Sequence, residues 1–513
     1  MKKIPFHPIL FSVYPVIALL AHNITQVKIS DAYASLAISL IAFLILFLLL
    51  RLAVKDWRRA ALATSLLALF FFTYGHLYNF LETHPIFGLN LGRHRLFAPL
   101  WLALAALALW WALKKARDLE TITIALNGMA LILLFLPLLQ LAVFEVHAKA
   151  AWSAPTHFDQ EIDALQLAPG RTPPDIYYII LDAYTRDDVL KQDFKLDNKP
   201  FLNQLRELGF YVATCSQSNY GQTELSLSSS LNFNYLEALG VPVIPGSDDR
   251  SALWPLIRHS AARQALQRLG YTFVAFDSGF YRTQMDDADV YLTMQNDVLG
   301  GLNGFEVMLV DTSAGVLIQD AATLLPRFLV PDVDYPNKVH RQRILYTIDR
   351  LATLPEAIPG PKFVFVHIVA PHGPFVLGPD GEAISIPEDT DGATYARAYP
   401  GEITYLNKKI FPALESLVHN SPTPPIIIIQ GDHGSGRLSP AKRMAILNAY
   451  YLPGLAQSNL YESISPVNTF RVIFNDYFGG NFRLLEDKSY FSIYQDPYSF
   501  KIVSNPRPGC GQE

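Results

Sequence analysis

Apolar residues are distributed in two different ways along this chain. Over the first part they come in long runs: Ile9–Ala21, Ala34–Leu50, Ala60–Leu81, Leu96–Leu113 and Ile122–Val146. A membrane-crossing helix needs about 20 mostly apolar residues, with about 17 as the lower limit. The last four runs meet that length. The first is shorter, contains Pro15 and follows Lys2 and Lys3, an outline it shares with signal peptides. No small-x-small cleavage site follows, so a retained helix is expected and five spans are predicted over residues 1–147. Beyond Pro174 the apolar runs shorten. Strands are predicted at Ile176–Asp182, Phe210–Thr214, Thr272–Phe276, Phe363–Val369, Ile426–Gln430 and Ala445–Leu452. Helical periodicity lies between them at Phe201–Leu208, Ala261–Leu269, Arg341–Leu354 and Glu402–His419, the last interrupted by Pro412. This alternation predicts an α/β domain over 175–513, with a largely parallel sheet covered on both faces. Residues 148–174 hold four prolines and are predicted to be a linker, and Gly378–Gly392 a surface loop.

Charge sets the orientation. Lys2, Lys3, Arg51, Lys55, Arg58, Arg59, Lys114, Lys115 and Arg117 fall on one side of the predicted spans, and Lys28, Arg93 and Arg95 on the other. Nine basic residues against three place the amino terminus in the cytoplasm and the α/β domain outside the cytoplasmic membrane. Losing the first run would leave four spans and the same outcome. His76, Glu82 and Glu145 sit near the outer ends of their spans, where snorkelling accounts for them. A net charge of −5 gives no reason to expect nucleic acid as a partner. Outside the cytoplasm the two cysteines, Cys215 and Cys510, are able to pair; two separate thiols are the alternative.

Four segments carry chemistry. Ile426–Gly436, IIIIQGDHGSG, ends a buried strand by presenting Asp432 and His433 together. Strand carboxyl ends are where ligands bind in open α/β sheets, and a carboxylate beside an imidazole is half of a divalent-metal site. An ordinary turn with Asp432 capping a helix is the plainer reading. The first strand ends in Asp182, which either faces that corner or caps a helix, a task for which Thr185 and Asp187 are also available. In Asn219–Asn232, NYGQTELSLSSSLN, a turn opens a helix with Thr223 at its start. A hydroxyl there is either an N-cap or a nucleophile whose anion the helix terminus favours. In Phe363–Phe375, FVFVHIVAPHGPF, His367 lies inside the strand and reads as a core histidine, whereas His372 in the loop is the better ligand-binding residue.

Asp182, Thr223 and Asp432–His433, in that order and with those spans ahead of them, resemble the alkaline phosphatase superfamily. The match is to its membrane-anchored sulfatase-like branch, which includes lipoteichoic acid synthases and phosphoethanolamine transferases. The resemblance implies an alkaline-phosphatase-like fold, with Asp182, Asp432 and His433 as metal ligands and Thr223 as a metal-bound nucleophile. It also implies phosphate contacts from His372 and from Arg282 in Phe280-Tyr281-Arg282. That branch's first metal ligand is usually a glutamate, here Asp182, and its histidine before the arginine has no counterpart at Phe276, Asp277 and Ser278. No C-x-P-x-R motif surrounds Cys215, which argues against the formylglycine sulfatase mechanism, and no histidine follows His433, which disfavours a second metal. One divalent ion is therefore expected, Mn²⁺ or Zn²⁺, with Mg²⁺ also compatible. The activity implied is transfer of a phospho-alcohol head group from a membrane phospholipid to a lipid or cell-envelope glycan through a phosphothreonine. Water as acceptor would instead make a phosphodiesterase, phosphatase or sulfatase-like hydrolase. A non-catalytic envelope-binding protein is the reading from a different class, and retention of every expected ligand type argues against it.

Overall fold

The computed structural model describes residues 4–24, 26–84, 93–151, 162–167, 172–294, 301–320, 332–454 and 459–510. The chain forms two compact units, Met1–Val146 with Asp297–Pro336, and His147–Asn296 with Asn337–Glu513. Of the expected linker, 152–161 and 168–171 lie outside the described residues.

The first unit is helical: α1 (His7–His22), α2 (Tyr33–Val54), α3 (Trp57–Thr83), α4 (His94–Trp110) and α5 (Leu119–Ala151), whose range runs past Val146. Among the described residues, four helical segments are long and apolar enough to cross a membrane, Ile29–Val54, Trp57–Thr83, His94–Lys115 and Leu119–Val146. The first expected span forms α1, a helix of 16 residues. It is about 24 Å long at 1.5 Å per residue, against a hydrocarbon core of about 30 Å. Polar side chains of this unit join helix to helix. Asn127 on α5 accepts the backbone N–H of Phe6 and His7 through Oδ1, at 3.2 and 2.9 Å, and so caps α1. Ser39 Oγ on α2 donates to the Ser12 carbonyl on α1, and Asp56 caps α3 by accepting from the N–H of Arg58 and Arg59.

The expected continuous 175–513 domain is interrupted, because Asp297–Pro336 belongs to the helical unit. Here a helix over Gly304–Asp311 and a short one over Val316–Asp320 pack beside α3. Two backbone hydrogen bonds join them to α3: Ala314 N–H donates to the Phe71 carbonyl (2.7 Å), and His76 N–H to the Thr312 carbonyl (3.2 Å). Gly75 permits this approach, since a Cβ there would lie 2.3 Å from the Asp311 carbonyl oxygen. Phe305 of the inserted helix is buried with Val16, Leu20, Ile24 and Ala32. The insert has no strong sequence signature, as its apolar run GFEVMLV is too short to announce a span.

The second unit is α/β. Its strands are β1 (Ile176–Leu181), β2 (Tyr211–Val212), β3 (Thr272–Phe276), β4 (Val290–Leu292), β5 (Lys362–Ile368), β6 (Phe375–Leu377), β7 (Ala383–Ile386), β8 (Ile426–Gln430), β9 (Asn448–Tyr451), β10 (Tyr490–Ile493) and β11 (Asp496–Ile502). Seven of them form one sheet in the order β2-β9-β8-β1-β5-β3-β4. The contacts of β1 with β5 and β8, and of β3 with β4 and β5, are parallel; only β9 pairs antiparallel, with β2 and β8. The sheet is covered on both faces, as the unbroken apolar runs predict. Successive side chains of β1 alternate between two cores: Tyr177, Ile179 and Leu181 in one, Ile176, Tyr178 and Ile180 in the other. The sequence pattern misses β4 and two hairpins, β10–β11 and β6–β7, the second strand of the latter occupying part of the expected Gly378–Gly392 loop. The helix expected over Glu402–His419 runs from Gly392 to Asn420 and passes through both Pro400 and Pro412. Cys215 and Cys510 are joined in a disulfide, their Cα atoms 5.4 Å apart.

Candidate active site

Register brings the chemistry together. Ile180 of β1 pairs with His367 of β5 on one side and with Gln430 of β8 on the other. All three strands run in the same direction, so the residues that follow them emerge at one edge, the edge where ligands bind in such sheets. Asp182 leaves β1 there and Asp432 leaves β8.

The corner after β8 is tightly built. Gly431 lies where a Cβ would meet the Tyr184 carbonyl oxygen at 2.5 Å, which explains the glycine ahead of Asp432. Asp432 Oδ1 accepts the N–H of Ala183 (3.0 Å) and of His433 (2.9 Å). Ser218 and Ser226 both donate to the Asp432 carbonyl. These contacts fix the carboxylate and leave its other oxygen, Oδ2, buried with no hydrogen-bond partner among the described residues. Asp182 Oδ1 is in the same condition, and His367 Nε2 makes no hydrogen bond although it lies 3.2 Å from Asp182 Oδ2. Asp182, His367 and Asp432 bring one ligand atom each within 4.8 Å of one another.

His433 completes the cluster, its Nε2 lying 3.7 Å from Asp182 Oδ1 and 3.6 Å from Asp432 Oδ2. Its Nδ1 is 2.9 Å from the Gly434 carbonyl, a contact that calls for a proton on Nδ1 and leaves the Nε2 lone pair free. Burial pushes this imidazole below its usual value and favours the neutral form that a metal requires. Burial acts in the opposite sense on Asp182, but the neighbouring imidazoles of His372, His367 and His433 outweigh it and hold that carboxyl well below the usual carboxylate range. Orphaned carboxylate oxygens facing imidazole nitrogens, all buried, form a donor set that fits a divalent cation.

Thr223 stands at the first turn of α6 (Thr223–Leu231), with Oγ1 3.3 Å from His433 Nε2. The turn before it is clamped through Gln222, whose Nε2 donates to Ser492 Oγ and the Ile493 carbonyl and whose Oε1 accepts from Arg250. Neither nearby serine competes, for Ser226 Oγ donates to the Asp432 carbonyl and Ser228 Oγ to that of Leu253.

His372 lies at the rim, its ring centroid 6.2 Å from that of His433 and its side chain 29% exposed. Burial lowers its pKa, yet Asp182 and Glu388 overcome this and raise it above the usual value. Arg282 lies to one side: its guanidinium stacks on Trp254 at 3.7 Å, and its Nε is 3.6 Å from Glu224, the residue after Thr223.

Sequence reasoning missed two residues. His367 is more than a core histidine: Nδ1 contacts Thr283 Oγ1 at 2.7 Å while Nε2 faces Asp182 Oδ2 at 3.2 Å. Its place near the carboxyl end of a strand flanking β1 was the available clue. Arg443 donates from Nε to the carbonyl of Gly221, in the turn that carries Thr223 (2.8 Å). Burial lowers its pKa, against the opposing pull of Asp432, Glu388 and Asp182. Nothing in the polar run SPAKRM distinguishes it from a surface residue.

No family model matches the chain, and no curated protein does either. Among solved structures it is similar to the C-terminal periplasmic domain of EcEptC from Escherichia coli in complex with zinc, at 10% identity and a TM-score of 0.43, over 68% of this chain and 98% of that one. It is also similar to the integral membrane lipooligosaccharide phosphoethanolamine transferase A (EptA) from Neisseria meningitidis, at 13% identity and a TM-score of 0.40, over 92% of this chain and 95% of that one. A protein in the alkaline phosphatase superfamily from Vibrio parahaemolyticus matches at 10% identity and a TM-score of 0.39, over 68% and 81% of the two chains. At such values function has to be argued from the site residues.

Proposed function

We propose that this protein is a membrane-anchored, metal-dependent phosphotransferase. It moves a phospho-alcohol head group from a membrane phospholipid to a hydroxyl of a lipid or cell-envelope glycan. The observation that carries the reading is the position of Thr223, a hydroxyl at a helix amino terminus 3.3 Å from His433 Nε2, beside buried carboxylate oxygens that lack partners. Asp182, Asp432 and His433 would hold one divalent ion, Mn²⁺ or Zn²⁺, with Thr223 adjacent and His367 fixing or completing the set. Such an ion supplies the charge that lowers the pKa of a neighbouring hydroxyl and polarises a phosphoryl oxygen.

The side chains divide the remaining work. Thr223 Oγ forms the new bond to phosphorus as the bond from phosphorus to the diacylglycerol oxygen breaks, leaving a phosphothreonyl ester. His372, with its raised pKa, is suited to protonate the departing oxygen and then to accept the proton of the acceptor hydroxyl. Arg443 offsets charge on the phosphoryl oxygens from its anchor on Gly221, the task also expected of Arg282, whose guanidinium is engaged by Glu224 and Trp254. The helical unit supplies the anchorage. Since α1 packs along α2 through Ser12 and Ser39, it is read as a fifth span that places the α/β unit outside the cytoplasm. The Cys215–Cys510 disulfide supports that side, because such links persist in oxidising compartments.

Mass spectrometry tests the proposal on enzyme quenched during turnover of head-group-labelled phospholipid. The expected result is an adduct on the Thr223 peptide, its mass naming the group carried, followed by label on an acceptor. Label released only as water-soluble product would make the enzyme a hydrolase. An unmodified Thr223 peptide together with an active Thr223→Ala variant would sink the covalent mechanism.

A further inference from the structure

The helical unit contains a cavity of about 410 Å³ between α2, α3 and the inserted segment, with walls that include Ala42, Phe43, Phe72, Leu309 and Ile318. We propose that it is a binding site for one acyl chain of a glycerophospholipid, the donor of the reaction; this rests on the transferase reading above.

The first argument is chemical. The polar residues that line the cavity with known partners turn those groups elsewhere. Ser39 Oγ donates to the Ser12 carbonyl, and Ser313 Oγ to that of Val310 while accepting the N–H of Gly315. The Glu306 carboxylate accepts the N–H of Asn303 and closes a capping box. Apart from Ser35, the walls that remain are hydrocarbon, which suits a hydrocarbon ligand.

The second argument is the surroundings. Both α2 and α3 are long and apolar enough to cross a bilayer, and α2 exposes Ile41, Ile45 and Leu49. Acyl chains are what such a surface meets.

Size supplies the third. The cavity measures about 410 Å³. A single flexible chain fits the volume, which lies in the range of small-ligand sites, about 300–1,000 Å³.

The insert explains why the cavity is more than a groove between two helices. Its contacts with Phe71 and His76 lie about 10–18 Å along α3 from Thr83, at 1.5 Å per residue. Irregular backbone at such a depth is tolerated only where protein covers it or a cavity is lined by it. A segment held there by backbone hydrogen bonds gives the cavity a fixed wall, and a fixed wall can prefer one chain over the bulk lipid. Since lipid is already apolar, that preference comes from packing rather than from exclusion of water.

The test uses the full-length protein in vesicles of phosphatidylethanolamine and phosphatidylglycerol that contain a phospholipid with a photoactivatable diazirine in its acyl chain. Peptide mapping should place most adducts on peptides carrying Ile38–Leu46 and Leu302–Ile318. Ala42→Trp, or Leu309→Trp if the first variant fails to insert, should reduce that labelling at least threefold and raise KM for the phospholipid by a similar factor. Turnover of a water-soluble phosphodiester, bis-p-nitrophenyl phosphate, should be unchanged. Adducts spread evenly over α2, α4 and α5 would overturn the site. Labelling in the cavity with an unaltered KM in the filled variant would overturn its role with the donor. A wild-type protein that labels in the cavity but turns over no phospholipid would count against the transferase reading instead.

Discussion

The two units treat buried polar groups in opposite ways. In the helical unit they hold one another: Asn127 caps α1, Ser39 is bonded to the Ser12 carbonyl, and Gln140 Nε2 donates to the Ala21 carbonyl. His7 Nε2 and Arg51 Nε are left without hydrogen-bond partners among the described residues, but they belong to no cluster of metal-ligating groups there, and His7 Nδ1 is satisfied by Ser65. At the strand ends of the α/β unit, orphaned atoms of Asp182, His367 and Asp432 converge. A lone orphan is a packing cost of about 1–3 kcal/mol. Several that point at a common centre form a donor set that could hold a cation. Convergence, not burial, separates function from tolerance.

Experiments that sharpen or break this contrast differ in the size of their effect. The largest is expected at Thr223. Thr223→Ala should reduce turnover by roughly 10⁴-fold or more, the scale on which loss of a nucleophile acts, with Ser226→Ala and Ser228→Ala remaining active in the same assay. At Arg443, substitution by methionine keeps the volume and removes the charge. A fall of roughly 10²-fold in kcat is expected, by analogy with loss of one transition-state donor, and wild-type kcat would remove Arg443 from the site. His367→Ala should weaken divalent-metal affinity by about 10–100-fold, the usual effect of losing a group that orients ligands. Elemental analysis reads this directly, and unchanged metal content would return His367 to the core.

A fourth experiment concerns a buried acid away from the cluster. Glu402 is 1% exposed and accepts the N–H of Val376 and Leu377; burial raises its pKa from 4.5 to about 8, despite those bonds. The folded state therefore holds this proton where the unfolded chain has released it. Its contribution to stability is complete below pH 4.5 and is lost as pH rises towards about 8. The loss is on the order of 5 kcal/mol. Glu402→Gln should flatten the fall in Tm across that window, and parallel curves for the two proteins would refute the assignment. The smallest effect belongs to the helical unit. Gly75→Val should cost about 1–3 kcal/mol through overpacking against the Asp311 carbonyl, visible as earlier loss of structure in detergent.

Much of this was legible in the residues, for definite reasons. The long apolar runs could only be membrane helices or deeply buried ones, and IIIIQGDHG combines a buried strand with a turn that presents Asp432 and His433. The strands at Thr272–Phe276 and Ile426–Gln430 fall where the pattern places them. Thr223 was found because a turn followed by a helix start is a local feature. His367 was not, since strand alternation says only that a side chain is buried and is silent on which group it meets. Arg443 depends on a contact with Gly221, 222 residues away in sequence, which no local pattern encodes. The insert depends on backbone hydrogen bonds to Phe71 and His76, to which any side chain would contribute equally. Gly75 was its single trace, a residue that lets another backbone approach a membrane helix.

The disulfide also bears on when the protein starts to work. Cys215 lies eight residues before Thr223, and its partner is made 295 residues later. The carbonyls of Thr214 and Cys215 are held by Arg507 and Asn505, so the approach to Thr223 is moored to a late-synthesised segment, while Arg186 holds the Ser216 carbonyl from earlier in the chain. While the ribosome is still delivering the chain, that mooring does not exist, and in the reducing cytoplasm the link does not form. Reducing the purified protein and alkylating both thiols should therefore lower turnover more than it lowers metal content. Under the proposed topology, the link would close only after Cys510 had followed Cys215 out of the cytoplasm, so the segment ahead of Thr223 would gain its last tie after export.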